Sequence, residues 1–595
     1  MGLLQGVTVH ISSWEVATAN LPTVGFLTSG ASYYVTTSAG DSANGGGNVE
    51  AWGGVRGSTF TYDTTAPTTA ISAPANAALL KTLGGLAGSG FDAVSISTVQ
   101  LSVQDVSITA PNCYAPASNN FTAACPNWFG AKTSTTNWTF NFAAQPWTQA
   151  HSYVIKSSAT DLAANVQTAQ TNASFTYDML SPTATVTTTS DGYLNPLETE
   201  LVGTSTDAPA GMSTLDIALS SSGVGSGWYN GSAFTGSAAQ YFTTTTYTVG
   251  QPDAWTWDYP ALTDGKNYTL RIRMNDLAAN SRTQDFTFLY DETPAVASVT
   301  YPADGGSISS ALTATGGSYD TAGAGGFASG ASTIAVSIQS LNNGNCYAWG
   351  VGFTVACPNF IPATGGSAAA WTFTPSGNPL TPTHRYIITT MATDLAGNPQ
   401  TAYAVGESST TFTYDTAVPS VGVTAPVPQA NDRETATTMA QLAGTASNAV
   451  ATNQALVQLR VQLAAGGVYW DPTSHNFDQS NGELAWFNAV TASNPPWTSW
   501  TSTTTEISFV GTDGSTFTVI ARARNKAGTY SVTYASNVFV YDSLAPRTGV
   551  TTPANLAFVN AFGSLTGTAG DLPAVHPASM ATAQVRLKRL SDNYH

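Results

Sequence analysis

Apolar and polar residues alternate at Val99, Leu101 and Val103, and again at Leu215, Ile217 and Leu219. The pattern returns at Ile334, Val336 and Ile338, and at Val457, Leu459, Val461 and Leu463. A period of two with one apolar face predicts a half-buried β-strand at each place. A Trp-led strand follows in NWTFNF (Trp138), AWTWDY (Trp255) and AWTFTP (Trp371). The next strand opens SYVI, NYTL, RYII or TFTV and runs to Asp161, Asp276, Asp394 or Asn525. There the chain reads DLAAN, DLAAN, DLAGN or NKAGT, which is hairpin-turn chemistry. Ahead of each alternating strand, a Leu/Gly segment ends in an acid or amide at Asp92, Asp207, Asp320 and Asn448, with a fifth copy, TGTAGD, ending at Asp571.

These events are punctuated by one recurring phrase: TFTYDTTAP at 59–67, SFTYDMLSP at 174–182, TFLYDETP at 287–294, TFTYDTAVP at 411–419 and VFVYDSLAP at 538–546. From Tyr62 to Tyr177, Tyr290, Tyr414 and Tyr541 the intervals are 115, 113, 124 and 127 residues, one domain per period rather than a short solenoid unit. Seven or so antiparallel strands in each period fit a two-sheet sandwich of the immunoglobulin type, with a closed barrel as the alternative. The expected architecture is therefore all-β: tandem immunoglobulin-like sandwiches set end to end as an elongated rod. Four units would span on the order of 150 Å at strand rises of about 3.3 Å per residue. The expected boundaries are 64–178, 179–291, 292–415 and 416–542, called repeats 1 to 4 below. They are flanked by partial domains at 1–63, with closing strands, and 543–595, with opening strands. The flanking halves read as the cut ends of a longer protein. Completion of one chain's half by another's, an end-to-end self-association, is the alternative.

The F-x-YD-x-x-x-P junction, the GTA-x-D segment and the D-x-A-G-N turn together resemble the tandem immunoglobulin-like repeats of large bacterial cell-surface and secreted proteins of the adhesin kind. The resemblance covers nearly the whole chain. It implies an extracellular or cell-surface location and a structural or adhesive role, and related repeats often carry calcium near their domain junctions.

Composition narrows the picture. The 595 residues exceed what one core organises. They are 42% hydrophobic but only 9% charged, and 14 Trp, 24 Tyr and 24 Phe supply core anchors that a disordered acidic chain lacks. A net charge of −17 with scattered Lys and Arg argues against nucleic acid and anionic membrane surfaces as partners. No apolar run reaches the roughly 18–20 residues that span a bilayer. The first residues lack the basic and apolar regions of a signal peptide.

The retained aspartates are the candidate chemistry. In a sandwich with an odd strand count, the incoming linker, the loop after the second strand and the turn before the last strand lie at one end. The linker and second-loop positions are separated by 29 residues in four cases (63 to 92, 178 to 207, 291 to 320, 542 to 571). Carboxylates gathered this way repel unless a cation or donor set offsets them, and calcium accepts six to eight oxygens. The candidate metal ligands are Asp63, Asp92 and Asp161; Asp178, Asp207 and Asp276; and Asp291, Asp320 and Asp394, with amide oxygens from Asn165, Asn280 and Asn398. In repeat 4, Asp415 stays while its partners become Asn448 and Asn525, followed by Lys526, as a lost metal site would read. Turn chemistry alone also accounts for Asp and Asn at these positions.

Four cysteines occupy one hairpin in two repeats, NCYAPASNNFTAACPN and NCYAWGVGFTVACPN, where the other two have WYNGSAF and YWDPTSHNF. Cysteine thus enters and leaves in pairs, which predicts Cys113–Cys125 and Cys346–Cys357 disulfides and an oxidising compartment. The six His (10, 151, 384, 475, 576, 595) are scattered, with His151 and His384 expected to be solvated, and neither G-x-S-x-G nor H-E-x-x-H occurs. The expectation is a non-enzymatic stalk or adhesion segment whose surface target, protein or glycan, is unspecified. The hairpin aromatics Trp228, Tyr229, Trp349, Tyr469 and Trp470 recur at a fixed place, which favours core or hairpin packing, and a carbohydrate-binding array built on them is one alternative. Spacer domains of a secreted enzyme are another.

Overall fold

The computed structural model describes residues 7–9, 13–21, 24–42, 47–51, 57–133, 136–223, 226–244, 246–248, 253–427, 433–434, 441–491, 498–503, 507, 509, 514–542, 544–572 and 580–590. His10, His576, His595 and the closing SDNYH lie outside them. Two compact units are formed, Met1–Tyr290 and Asp291–His595. No helix among the described residues is long and apolar enough to cross a membrane.

The first unit holds two sandwiches, preceded by the hairpins Val7–Val9/Trp14–Val16 and Ala31–Thr36/Gly57–Tyr62. In the first sandwich, a four-stranded sheet runs in the order Lys132–Thr133, Asn137–Asn141, Gly85–Phe91, Thr68–Ala73. The facing sheet runs Asn120–Ala123, Cys113–Ala115, Ile96–Asp105, Ser152–Asp161, Thr171–Tyr177, Ala78–Leu80, and Phe129–Gly130 also pairs with Ile96–Asp105. The same plan of four strands facing seven is repeated from Thr183 to Tyr290. The second unit repeats it twice more, from Val296 to Tyr414 and from Ser420 to Tyr541, and adds the hairpin Arg547–Thr552/Thr566–Gly570. The chain is an all-β tandem of sandwiches.

One strand per sandwich departs from the antiparallel expectation. Ala78–Leu80 runs parallel to Thr171–Tyr177, and Tyr193–Leu194, Gly306–Ile308 and Arg433–Glu434 do the same against their own last strands. After its first strand the chain crosses to the facing sheet without reversing, so its continuation meets the last strand in the same direction.

The alternating strands bury the faces their pattern predicts: Val99, Leu101 and Val103 are within 2% of full burial, as are Val336, Ile338, Val457, Leu459 and Val461. Against them lie Trp138, Trp255, Trp371 and Trp500, each fully buried, from the strand facing across the core. Trp500 completes the set of Trp-led strands in repeat 4, where the sequence pattern alone does not mark it. Each indole lies flat against one glycine of the second strand. A Cβ built on Gly88, Gly203, Gly316 or Gly444 would sit 2.1–2.4 Å from the ring and 1.9–2.1 Å from a carbonyl oxygen of the neighbouring strand. The recurring Gly of the Leu/Gly segment is thus required by space.

Both predicted disulfides are present, Cys113–Cys125 and Cys346–Cys357. Each closes a hairpin at the outer edge of the larger sheet. Repeats 2 and 4 hold the same hairpin with arginine instead. The Arg271 guanidinium lies 4.7 Å from the Trp228 ring, and that of Arg460 lies 5.1 Å from Tyr469 and 4.5 Å from Trp486.

Candidate metal centres at the linker aspartates

Each linker aspartate uses one carboxylate oxygen for its own turn. Oδ1 accepts from the backbone N–H two residues on, from Thr65 to Asp63 (3.0 Å), Leu180 to Asp178 (3.1 Å), Thr293 to Asp291 (3.1 Å), Ala417 to Asp415 (2.9 Å) and Leu544 to Asp542 (3.2 Å). Turn chemistry therefore explains why the residue is Asp at all five linkers. It leaves Oδ2 for something else.

At two linkers the backbone of the same residue closes the preceding sandwich. The Asp178 N–H donates to Leu80 O and the Asp415 N–H to Ile308 O, each at 2.8 Å. Asp178 and Asp415 are thus each the last rung of one sandwich and place their side chains at the head of the next. Around Asp178 the contact is widened: Gln149 Nε2 donates to its Oδ1 (2.7 Å), Gln149 Oε1 accepts from Met179 N–H (2.7 Å), and Lys81 Nζ reaches Ala279 O (2.5 Å).

The fold brings together the three predicted triads. In Asp63/Asp92/Asp161, Asp178/Asp207/Asp276 and Asp291/Asp320/Asp394, one carboxylate oxygen from each residue lies within 4.8 Å of the others. Cation–oxygen distances of about 2.3–2.6 Å place two ligands of one calcium up to roughly that far apart. All but Asp92 and Asp320 are buried. Several oxygens are left over: Asp63 Oδ2, Asp92 Oδ1 and Asp320 Oδ1 are buried with no hydrogen-bond partner. A buried carboxylate oxygen without a donor is costly. The first and third triads, which hold these unpartnered oxygens, therefore fit a hard cation, to which each triad would supply three oxygens.

The unrelieved charge acts on protonation. Burial, then the neighbouring Asp178 and Asp276 carboxylates, pushes Asp207 up to about 6. Asp320 is raised by burial and by Asp291 and Asp394, and Asp394 by burial and Asp291.

Asn165, Asn280 and Asn398 take a different part from the one expected. Each turns its amide nitrogen, not its oxygen, toward the triad. Nδ2 donates to the turn aspartate (Asp161, Asp276, Asp394; 2.7–2.9 Å) and to the linker carbonyl (Asp63, Asp178, Asp291; 2.8–3.0 Å). The backbone N–H of the same Asn binds the second oxygen of the turn aspartate. The asparagines hold the linker against the turn and orient the turn aspartate, with nitrogen rather than oxygen facing the triad.

In repeat 4 the triad is replaced by amides. Asp415 Oδ2 accepts from Nδ2 of Asn448 (2.8 Å), Asn525 (3.3 Å) and Asn453, the last in a very short contact. Lys526 is exposed rather than turned in, so amides and not an ammonium meet this carboxylate. Asn453 was not legible as a partner from spacing. Its signal was a substitution: the backbone carbonyl there accepts from Lys526 N–H, as those of Gly211 and Gly330 accept from Leu277 and Leu395.

Other candidates are resolved by burial. Trp470 is 1% exposed, and Trp228, Tyr229 and Tyr469 are half-buried, so a sugar-stacking face on Trp228 and Trp470 does not form; Trp349 is exposed. His151 is half-buried rather than solvated, with Nδ1 2.7 Å from Oδ2 of the buried Asp105.

The sequence matches no protein-family model and no curated protein. Among solved structures the chain is similar to fibronectin(III)-like modules of Clostridium thermocellum CbhA, at 10% identity and a TM-score of 0.20 over 38% of this chain and 95% of that one. It is also similar to the chicken CNTN1 FN1–FN3 domains, at 11% identity and 0.24 over 61% and 99%. A third likeness is to Sidekick-1 immunoglobulin domains 1–5, at 9% identity and 0.24 over 84% of each chain. Likenesses at these scores carry no argument about this chain.

Proposed function

We propose that this chain is a non-enzymatic structural segment, a stalk or adhesion spacer of an extracellular or cell-surface protein, stiffened by divalent cations, calcium by preference, at three of its linkers. The observation that carries the reading is the threefold recurrence of a carboxylate triad that gathers a linker aspartate with a loop and a turn aspartate, the backbone of Asp178 also closing the preceding sandwich. A site built once can serve a reaction; the same site at successive linkers serves the linkers. The nine aspartates Asp63, Asp92, Asp161, Asp178, Asp207, Asp276, Asp291, Asp320 and Asp394 would hold the ions, with backbone carbonyls and water completing six to eight oxygens. A bound ion supplies positive charge that relieves the repulsion among buried carboxylates and so ties linker, loop and turn together. The two disulfides suit an oxidising compartment and brace hairpins at the sheet edge.

The test is thermal unfolding of the full chain in excess calcium and in excess chelator. The reading expects a melting temperature raised by calcium, with part of that rise lost in Asp161→Ala and Asp276→Ala. Superimposed curves in calcium and chelator would refute it.

A further inference from the structure

We infer that the linker between repeats 3 and 4 is a cation-free lock, in which the Asn453 carboxamide stands where the other linkers would hold an ion. The inference rests on the cation reading only for the contrast with those linkers. The lock itself is built from contacts within the second unit.

Asp415 donates its backbone N–H to Ile308 O, as Asp178 does to Leu80 O, and its Oδ1 accepts from Ala417 N–H, as at the other linkers. Its Oδ2 is surrounded by the side-chain amides of Asn448, Asn453 and Asn525. A carboxylate only accepts, so all three amides must present nitrogen, and their other contacts agree. Asn448 Nδ2 also donates to Val450 O (3.1 Å) and Asn525 Nδ2 to Ala417 O (3.0 Å), while Asn525 Oδ1 accepts from Thr529 N–H (2.9 Å). Asn453 is 3% exposed, and its remaining oxygen accepts from Ser307 Oγ, on strand Gly306–Ile308 of repeat 3. Ser309 Oγ adds a bond to Ala527 O (3.2 Å). Ser307, Asn453 and Asp415 thus form a relay from one sandwich, through the head of the next, to the residue that joins them.

Charge explains why amides can replace the ion. Three carboxylates with a divalent cation carry a net −1, and one carboxylate with three neutral amides carries the same. In repeat 4 the buried linker oxygen is met by side-chain amides, whereas Asp178 Oδ2 and Asp291 Oδ2 each accept one backbone N–H, from Ala210 (3.0 Å) and Ser329 (2.6 Å), and Asp63 Oδ2 accepts none. The amide version needs nothing from solution, so this linker should remain ordered when the others are stripped of metal. The residues that decide the difference are 448, 453 and 525: Asn, Asn and Asn here, against Asp207, Gly211 and Asp276 in repeat 2.

Hydrogen exchange of the full chain, read by mass spectrometry in calcium and in chelator, tests the lock. Peptides covering 415–420 and 525–529 are expected to exchange alike in both conditions. Asn453→Ala should speed exchange there about tenfold or more, the scale of a lost hydrogen bond to a charged group, with or without calcium. The core strand Thr516–Asn525 should stay protected beyond its last residues, which shows that the variant folds. Ser307→Ala is the milder variant and should give a smaller change in the same peptides. The triple change Asn448→Asp, Asn453→Gly and Asn525→Asp should make protection at 415–420 calcium-dependent. Calcium-dependent protection at 415–420 in the unaltered chain would overturn the lock, as would unchanged exchange in Asn453→Ala. If no linker responds to calcium yet Asn453→Ala loosens this one, the lock stands and the cation reading of the other three falls.

Discussion

Replacing Gly316 by alanine inserts one methyl group where the structure has no room. The new Cβ would lie 1.9 Å from Ser298 O and 2.4 Å from Cζ2 of Trp371, both inside van der Waals contact by more than an ångström. Neither neighbour can yield cheaply. Ser298 belongs to the paired strand Val296–Tyr301, and the Trp371 ring is 1% exposed with its Nε1 donating to Gly317 O (3.1 Å). Burying a methyl and restricting the unfolded chain return about 1 kcal/mol or somewhat more. Overpacking a core costs about 1–3 kcal/mol and occasionally more, and this clash involves backbone as well as ring. The expected outcome is a net destabilisation of about 2 kcal/mol, confined to repeat 3. At the 124-residue interval of repeat 3 this lowers its melting transition by about 6–12 °C. Gly317→Ala is the matched control, because its Cβ would meet Ala369 O at 3.1 Å, a gap that closes with a few tenths of an ångström of movement. Calorimetry of the full chain, with hydrogen exchange to assign the transition, distinguishes the two. Equal stability for both variants would refute the claim that space under the tryptophan dictates this glycine.

Acidity should stabilise the chelated protein. Asp207 rises from 3.8 to about 6 on folding, so its contribution is fully present below 3.8 and is lost as pH climbs through about 6. In chelator the melting temperature at pH 5 should exceed that at pH 7.5, and calcium should abolish the difference; a flat profile in chelator would count against an unrelieved triad. Among the aromatics of the hairpin, Trp470→Ala should cost about 3–5 kcal/mol by emptying a fully buried site, while the exposed Trp349→Ala should leave the melting temperature almost unchanged. Replacing both Cys346 and Cys357 by serine should cost about 2–3 kcal/mol through the freed loop of 11 residues, measured by denaturant unfolding.

Much of the architecture was legible because β-structure writes itself locally. Alternation at Val99–Val103 or Val457–Val461 marks a strand whose two faces meet different surroundings, and turn residues mark where it ends. The paired appearance of cysteine at one hairpin was similarly direct. The parallel strand Ala78–Leu80 was not, because three residues carry no readable period and their partner lies nearly a hundred residues away. Burial also separated two residues that look alike in sequence: Trp470 is core and Trp349 is surface.

The aspartates divide along the same line. Recurrence and constant spacing within the sequence determined that Asp63, Asp92 and Asp161 and their copies belong together, because a repeat unit preserves the distances its loops must span. Only the tertiary structure decided what each atom does. It gave one linker oxygen to the local turn and left the other facing the triad. It turned the nitrogen of Asn165, Asn280 and Asn398 inward, and it brought Asn453 onto Asp415 with Ser307 behind it. Spacing along a chain establishes which residues can meet; the direction of a lone pair or an N–H depends on groups that fold in from elsewhere.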